Sequence, residues 1–373
     1  MLPLYLQQTG AASILEQTRG PSDLQSAQAL ARSTARVAPL SAYPYGVQTI
    51  AAAFKGETAL ADRLLARTLR LDPRSGSLHV FAMNDCLRRN DVQGALLHAV
   101  SLHRLNDELG PMLAAMIAGL TADAALRPTI AQAIAGLPLR DDVIRTLQAE
   151  GASPAIAFDL LKRTEAIAAT PTRAQLAAGI AELYLARKDY RGARAVWRTG
   201  LSDPRLADQL IQDRSFQNMQ SSGPFGWQVS NNSDLQAYVQ KVDREDIPTA
   251  LLVEVYAQQQ APAARQVLTA PPGSYRFSYV AKDGGSPANI SALQWDVQCH
   301  SDGKSIGTFA VVPSGSWSRR SHELVIPTGC EGQMLTLSTR PNFVTTRTLV
   351  SNIALEPSDA LPLTRPGPAR SQR

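Results

Sequence analysis

"FKGETALADRLLARTLRLDP", residues Phe54 to Pro73, decides the reading of the first half of this 373-residue chain. Gly56 permits a turn; beyond it Ala61, Leu64, Leu65, Thr68 and Leu69 fall at i, i+3, i+4, i+7 and i+8, which is one stripe of a helix. Pro73 ends that helix, because proline lacks the N–H the next turn needs and its ring collides with the turn before. Thirty-four residues before Ala61 and Pro73 stand Ala27 and Pro39, and thirty-four after Ala61 stands Ala95, with Asp91 in a second turn, "RRNDVQ". Farther on, "LYLARKDYRGARAVWRTGLSDP" repeats the form, with Tyr184 in a first helix, Lys188 and Asp189 in the turn, and Ala193, Val196, Trp197, Gly200 and Leu201 as the second stripe.

A thirty-four-residue unit of two antiparallel helices, with a small residue in the second helix and a Pro at its end, resembles the tetratricopeptide repeat. Tyr45, Gly56, Ala61, Leu65 and Pro73 sit at its characteristic positions in the clearest unit. The match is looser elsewhere: Asp107 stands where a Pro is usual, and Ala95 to Ala193 is 98 residues, four short of three whole periods. The segment 110–173, with Pro128, Pro138 and Pro154, is therefore expected to hold a shortened pair of helical hairpins or a more general right-handed helical array. A single hairpin cannot bury its own apolar stripe, so neighbours must stack, and a small side chain in the second helix lets them approach. Such an array presents a concave groove that commonly holds a peptide or another subunit.

After "SSGPFGWQVSNN", residues Ser221 to Asn232, the hydrophobic period changes from 3.6 to 2. Leu251, Val253 and Val255 share one face of a strand; Tyr275, Phe277 and Tyr279 share another; Leu293, Trp295, Val297 and Cys299 a third, with Gln294, Asp296 and Gln298 opposite. Further strands are expected over 307–312, 322–326, 333–339 and 348–355. About eight short strands at this spacing, cut by "KDGGSPAN", "PSGS" and "PTGCEG", fit an antiparallel sandwich of jelly-roll type. The expected division is a helical repeat domain over 1–215, a linker over 216–222, a sandwich over 223–357 and a disordered tail over 358–373.

Gly226 and Trp227 at the opening, Pro272, Gly273 and Tyr275 at a turn into a central strand, and Trp317 before a strand that ends at Pro327 resemble the β-sandwich carbohydrate-binding and galactose-binding-like modules of bacteria. Joined to helical repeats, such a module resembles bacterial envelope proteins found with polysaccharide production systems. The resemblance implies a glycan on the sandwich and a periplasmic place in the cell envelope, with a leader or anchor lying before the given start; the cytoplasm is the alternative. A sugar site needs an aromatic platform with amides and carboxylates beside it. Glu254, Tyr256, Arg276, Gln294, Asp296 and Gln298 supply that mixture if their strands are neighbours, with Trp317 as a platform. Trp227, Trp295 and Tyr275 read as core.

The remaining signals exclude more than they assign. The net charge is +5, yet only six lysines accompany thirty-one scattered arginines, so no basic stripe marks a nucleic-acid partner. "MLPLYLQQTG" lacks a basic start and a signal-length apolar stretch, and the run "PMLAAMIAGL", residues 111–120, is too short to cross a bilayer. Cys86 reads as a small buried thiol, whereas Cys299 and Cys330, if joined, would favour an oxidising compartment. His98 and His103 stand about 140° apart around a helix, so they do not share a face as metal ligands. His300 beside Cys299 lacks a second metal pair; no metal or cofactor is expected. No nucleophile elbow, phosphate loop or dinucleotide fingerprint occurs. Asp243, Glu245 and Asp246 in "VDREDIP" are the candidates for a carboxylate pair, in an exposed turn, and the sequons at Asn231 and Asn289 carry little weight in a bacterial chain. The expected function is a non-enzymatic adaptor, with a protein partner on the repeats and polysaccharide as the candidate ligand of the sandwich. The alternatives are an interaction scaffold without sugar affinity, or a carbohydrate-active enzyme using Asp243, Glu245 or Asp296.

Overall fold

The computed structural model describes residues 21–168, 172–217, 223–256, 260–285, 292–341 and 344–358. The expected linker lies mostly outside these residues, as do the sequon at Asn289 and all of the expected tail but Ser358. Eleven α-helices among the described residues precede two antiparallel sheets. The helices are α1 (Pro21–Val37), α2 (Tyr43–Phe54), α3 (Thr58–Leu71), α4 (Gly76–Arg88), α5 (Val92–Leu105), α6 (Gly110–Leu120), α7 (Arg127–Ile134), α8 (Pro138–Ala149), α9 (Pro154–Ile167), α10 (Arg173–Ala186) and α11 (Tyr190–Thr199). The chain forms two compact units, one of residues 1–147 and 162–169, the other of residues 148–161 and 170–373.

In the first unit the thirty-four-residue period is visible in atomic detail. Ala27, Ala61 and Ala95 are all buried, at 0%, 4% and 0% exposure, as side chains at a close helix crossing must be. Gly56 and Asn90, also thirty-four apart, close α2 and α4 with positive φ of 75° and 57°. The tyrosine position repeats chemically as well. The Tyr45 hydroxyl donates to the Pro39 carbonyl at 3.0 Å, and His79, one period on, places Nε2 3.1 Å from the Pro73 carbonyl. Leu65 is half-buried on the stripe, and Pro73 is exposed just beyond α3. Arg140 on α8 is fully buried and satisfied by Asp141 and by Glu165 at 2.6 Å, the pairing that a buried charge requires. The segment after Asp107 holds four helices, α6 to α9, of 11, 8, 12 and 14 residues.

The second unit contains the α10–α11 hairpin and the sandwich. The turn between the helices repeats the chemistry of the α4–α5 turn. Lys188 takes φ 60°, and the Asp189 carboxylate accepts from the Gly192 N–H at 2.8 Å, as Asp91 does from Gly94 at 2.9 Å. Neither glycine has room for a Cβ, which would fall 2.4 Å from Asp91 Oδ2 or 2.6 Å from Asp189 Oδ2. The strands are β1 (Gln228–Val229), β2 (Leu235–Lys241), β3 (Thr249–Val255), β4 (Pro262–Leu268), β5 (Gly273–Asp283), β6 (Leu293–Cys299), β7 (Ser305–Ala310), β8 (Ser318–Ile326), β9 (Gln333–Thr339) and β10 (Thr346–Pro357). They form one sheet in the order β1-β4-β9-β6-β7 and another in the order β2-β3-β10-β5-β8. Leu251, Val253, Val255, Tyr275, Phe277 and Tyr279 from one sheet share a core with Leu293, Trp295, Val297, Leu335 and Leu337 from the other, and Trp227 joins them. Trp227, Trp295 and Tyr275 are core, as their alternation indicates.

Candidate functional site

Outward residues on a sandwich fall on one of two opposite faces, and strand order decides which. Gln294, Asp296 and Gln298 lie on β6, in the sheet that also carries β4 and β9. Glu254 lies on β3, Tyr256 directly follows it, and Arg276 lies on β5 of the other sheet. The six therefore do not form one cluster. Arg276 is also distant along its own face, because it is opposite Glu356 on β10 whereas Glu254 is opposite Arg347, nine residues away. At about 3.4 Å per residue, with a bulge between, that is about 25 Å. Arg276 instead pairs across the strands with Glu323 at 3.5 Å. Trp317 is half-buried just before β8, three strands from Glu254, which is about 14 Å across the sheet alone.

The face with β6 is partly covered. Val267 on β4 and Met334 on β9 point outward and pack under Ala181, Leu185, Tyr190, Ala193 and Trp197 of α10 and α11, with Phe225 between the layers. Trp197 thus fills the hairpin seam and also rests on the sandwich, its ring 5.4 Å from that of Phe225. Within this face Asp296 is a structural hub. It accepts from Gln294 at 3.0 Å, from Thr308 at 3.0 Å and from the Ser338 hydroxyl, and it is 9% exposed. Gln298, opposite Met334, remains exposed.

On the opposite face Glu254 is itself 9% exposed, and around it a cluster of exposed side chains assembles. The hydroxyls of Tyr238 and Tyr256 both donate to Glu254, the former at 3.1 Å, and the Arg347 guanidinium binds the same carboxylate at 2.6 Å. The hydrogen bond from Tyr256, then those from Arg347 and Tyr238, hold the Glu254 carboxyl below its ordinary range against the opposing effect of burial. The Tyr256 phenol is correspondingly raised by Glu254. Both rings remain in solvent, Tyr238 at 44% and Tyr256 at 47% exposure. Beside Tyr238 a cleft of about 390 Å³ is lined by Asn231, Asn232 and Gln236. The side-chain oxygens of Asn231 and Asn232 accept from the backbone N–H groups of Ala237 and Asp234, so their amide NH2 groups are what remain for a ligand.

Glu254 and Tyr256 were thus named by the sequence, whereas Tyr238 and Arg347 were not. The signal for Tyr238 was present in "LQAYVQK": Leu235 and Ala237 point in, so a tyrosine between glutamines points out. The acidic turn is fully in solvent, with Asp246 lowered first by its hydrogen bond from Arg244. Cys299 and Cys330 form a disulfide with Cα atoms 5.5 Å apart, and Cys86 is a buried free thiol. Among the described residues no three His, Cys, Asp or Glu side chains gather as metal ligands, and no helix is long and apolar enough to cross a membrane.

No protein-family model matches this chain, and no curated protein does. Among solved structures, a CBM4 structure is 15% identical over 40% of this chain and 99% of its own length, with a TM-score of 0.30. A family 16 carbohydrate-binding module is 13% identical over 39% of this chain and 99% of its own, with a TM-score of 0.28. Pseudomonas aeruginosa pilF is 13% identical over 55% of this chain and 80% of its own, with a TM-score of 0.26. At these values the likeness bears on neither ligand nor activity, and the functional reading stands on the geometry above.

Proposed function

We propose that this chain is a non-enzymatic adaptor whose helical repeats hold a protein partner and whose sandwich binds a glycan over the Tyr238–Glu254–Tyr256 face. The observation that carries the glycan reading is the pair of exposed tyrosines anchored to one carboxylate on an open sheet face. Pyranose C–H faces stack on such rings, while Arg347 and the amides of Asn231, Asn232 and Gln236 meet hydroxyls. Rings held in place by hydrogen bonds lose less rotamer freedom when a ligand arrives, which favours binding. The protonation state fits Glu254 as a hydrogen-bond acceptor and not as a proton donor. A glycosidase acid must keep its proton near neutrality, whereas three donors hold Glu254 ionised. Asp243 and Glu245 lie exposed in their turn, with no cleft around them to seat a substrate among the described residues.

An oxidising compartment of the cell envelope, the periplasm, is part of the proposal, supported by the Cys299–Cys330 bond, since such bonds persist where thiols are not kept reduced. Native electrophoresis of the full chain through gels cast with different soluble polysaccharides tests the glycan arm. Retardation by at least one of them is expected; unchanged mobility in all would leave an interaction scaffold without sugar affinity. Capture of a defined partner by the full chain tests the other arm.

A further inference from the structure

We propose a second ligand site, for a carboxylate or phosphate group on a sugar-sized molecule, in the cleft between α11 and the turn from β4 to β5. The cleft has a volume of about 500 Å³, and its walls include Arg191, Arg194, Arg198, Thr269, Pro272 and Glu331. That volume lies within the ordinary range of small-molecule sites. Arg194 sets the chemistry. Its Nε and Nη2 donate to the Ala207 carbonyl, Nη2 also to the Gln209 carbonyl at 2.6 Å, and Nη1 to the Thr269 hydroxyl at 2.9 Å. Every one of these acceptors is neutral. Among the described residues no carboxylate comes within ion-pair distance of Arg194 or of Arg191, while Arg198 is paired with Asp208 at 3.1 Å.

A guanidinium keeps its charge at any ordinary pH, so a partly buried one held only by neutral acceptors is a desolvated cation that favours an anion. Burial pushes the Arg194 pKa down, with Asp208 offsetting it only in part. Four of its five N–H bonds are used, which leaves one Nη1–H, and Arg191 adds an exposed guanidinium on the same wall. Two arginines in one cleft match the two oxygens of a carboxylate or phosphate. Pro271 and Pro272, both exposed, give the apolar surface that a sugar ring can rest on. The site is separate from the Tyr238–Glu254 face and does not depend on it.

Isothermal titration of the full chain with trigalacturonate, inorganic phosphate and neutral galactotriose tests the assignment. Binding of one of the two anions is expected, weakening as salt rises from about 50 to about 500 mM. Arg191→Gln should weaken it about tenfold, and Glu331→Gln, which removes a negative wall, should tighten it several-fold. Trigalacturonate binding would assign the site to carboxylates and phosphate binding to phosphates. Arg194→Gln also severs the tie to Thr269, so the exposed Arg191 is the variant that decides. Binding of neither anion, binding untouched by Arg191→Gln, or binding abolished by Tyr238→Ala instead would each overturn the proposal.

Discussion

Ala193 is fully buried where α11 meets both α10 and the outer sheet, so there is no space for a larger side chain. Ala193→Leu is expected to cost about 1–3 kcal/mol, read as a lower urea midpoint at unchanged m. That position was legible because small residues recur at 27, 61, 95 and, less regularly, 193, and a stacked hairpin needs them. Histidines carry a second prediction. Burial lowers the pKa of His98 and, in the sandwich, of His300 and His322, with His79 adding to the effect at His98. The folded chain then binds these protons less readily than the unfolded chain, whose histidines titrate near 6.5. Stability is full above that value and is lost as pH falls through the folded values. The thermal midpoint should therefore drop between about pH 7.5 and about pH 5.5, and His322→Gln should flatten the drop. The lowered carboxylates, Glu254 and Asp246 among them, add their own loss only below the ordinary carboxylate range. Of the open cluster, Glu254 and Tyr256 could be named from alternation alone, whereas Arg347 becomes relevant only through its register opposite Glu254 on a strand ninety residues later.

Helix ends and strand pairs behave differently as elements to read. The turns at Asp91 and Asp189 announce themselves, since an acceptor three residues before a glycine caps the second helix of each hairpin. Asp91→Ala should cost about 1 kcal/mol, measured by chemical denaturation, and Asp91→Asn much less. Strands β3, β5, β6 and β9 were visible from their period-2 apolar runs. Strands β2 and β4 were not expected: "PAARQVL" is rich in residues with weak strand preference, and only its neighbours β1 and β9 hold it in the sheet. Alternation tells which residues of a strand share a side but not which sheet the strand joins; hence β6 and β3 could not be assigned to opposite faces in advance. The disulfide links the end of β6 to the turn before β9 across 31 residues. Its removal, as Cys299→Ser with Cys330→Ser, should cost about 3–4 kcal/mol through the freed unfolded chain, seen as a lower thermal midpoint that dithiothreitol reproduces in the parent.

For the molecule as a whole, the change of texture near Ser221 was plain in the sequence: helices precede it and two antiparallel sheets follow it. What could not be read is the use of α10 and α11 to cover one outer face of the sandwich, because a helix with a buried stripe looks the same whether the stripe meets a helix or a sheet. That covering leaves the face of Tyr238, Glu254, Tyr256 and Arg347 as the open one where aromatic rings and charge stand together. The account rests on that face holding sugar. The direct measurement is the affinity of the full chain for the polysaccharide that most retards it, compared with Tyr238→Ala/Tyr256→Ala, both chains being checked by circular dichroism. A loss of about tenfold or more in the double variant is expected, in keeping with two stacking rings removed. Equal affinity in the two chains, or no saturable binding to any glycan of a varied panel, would contradict it.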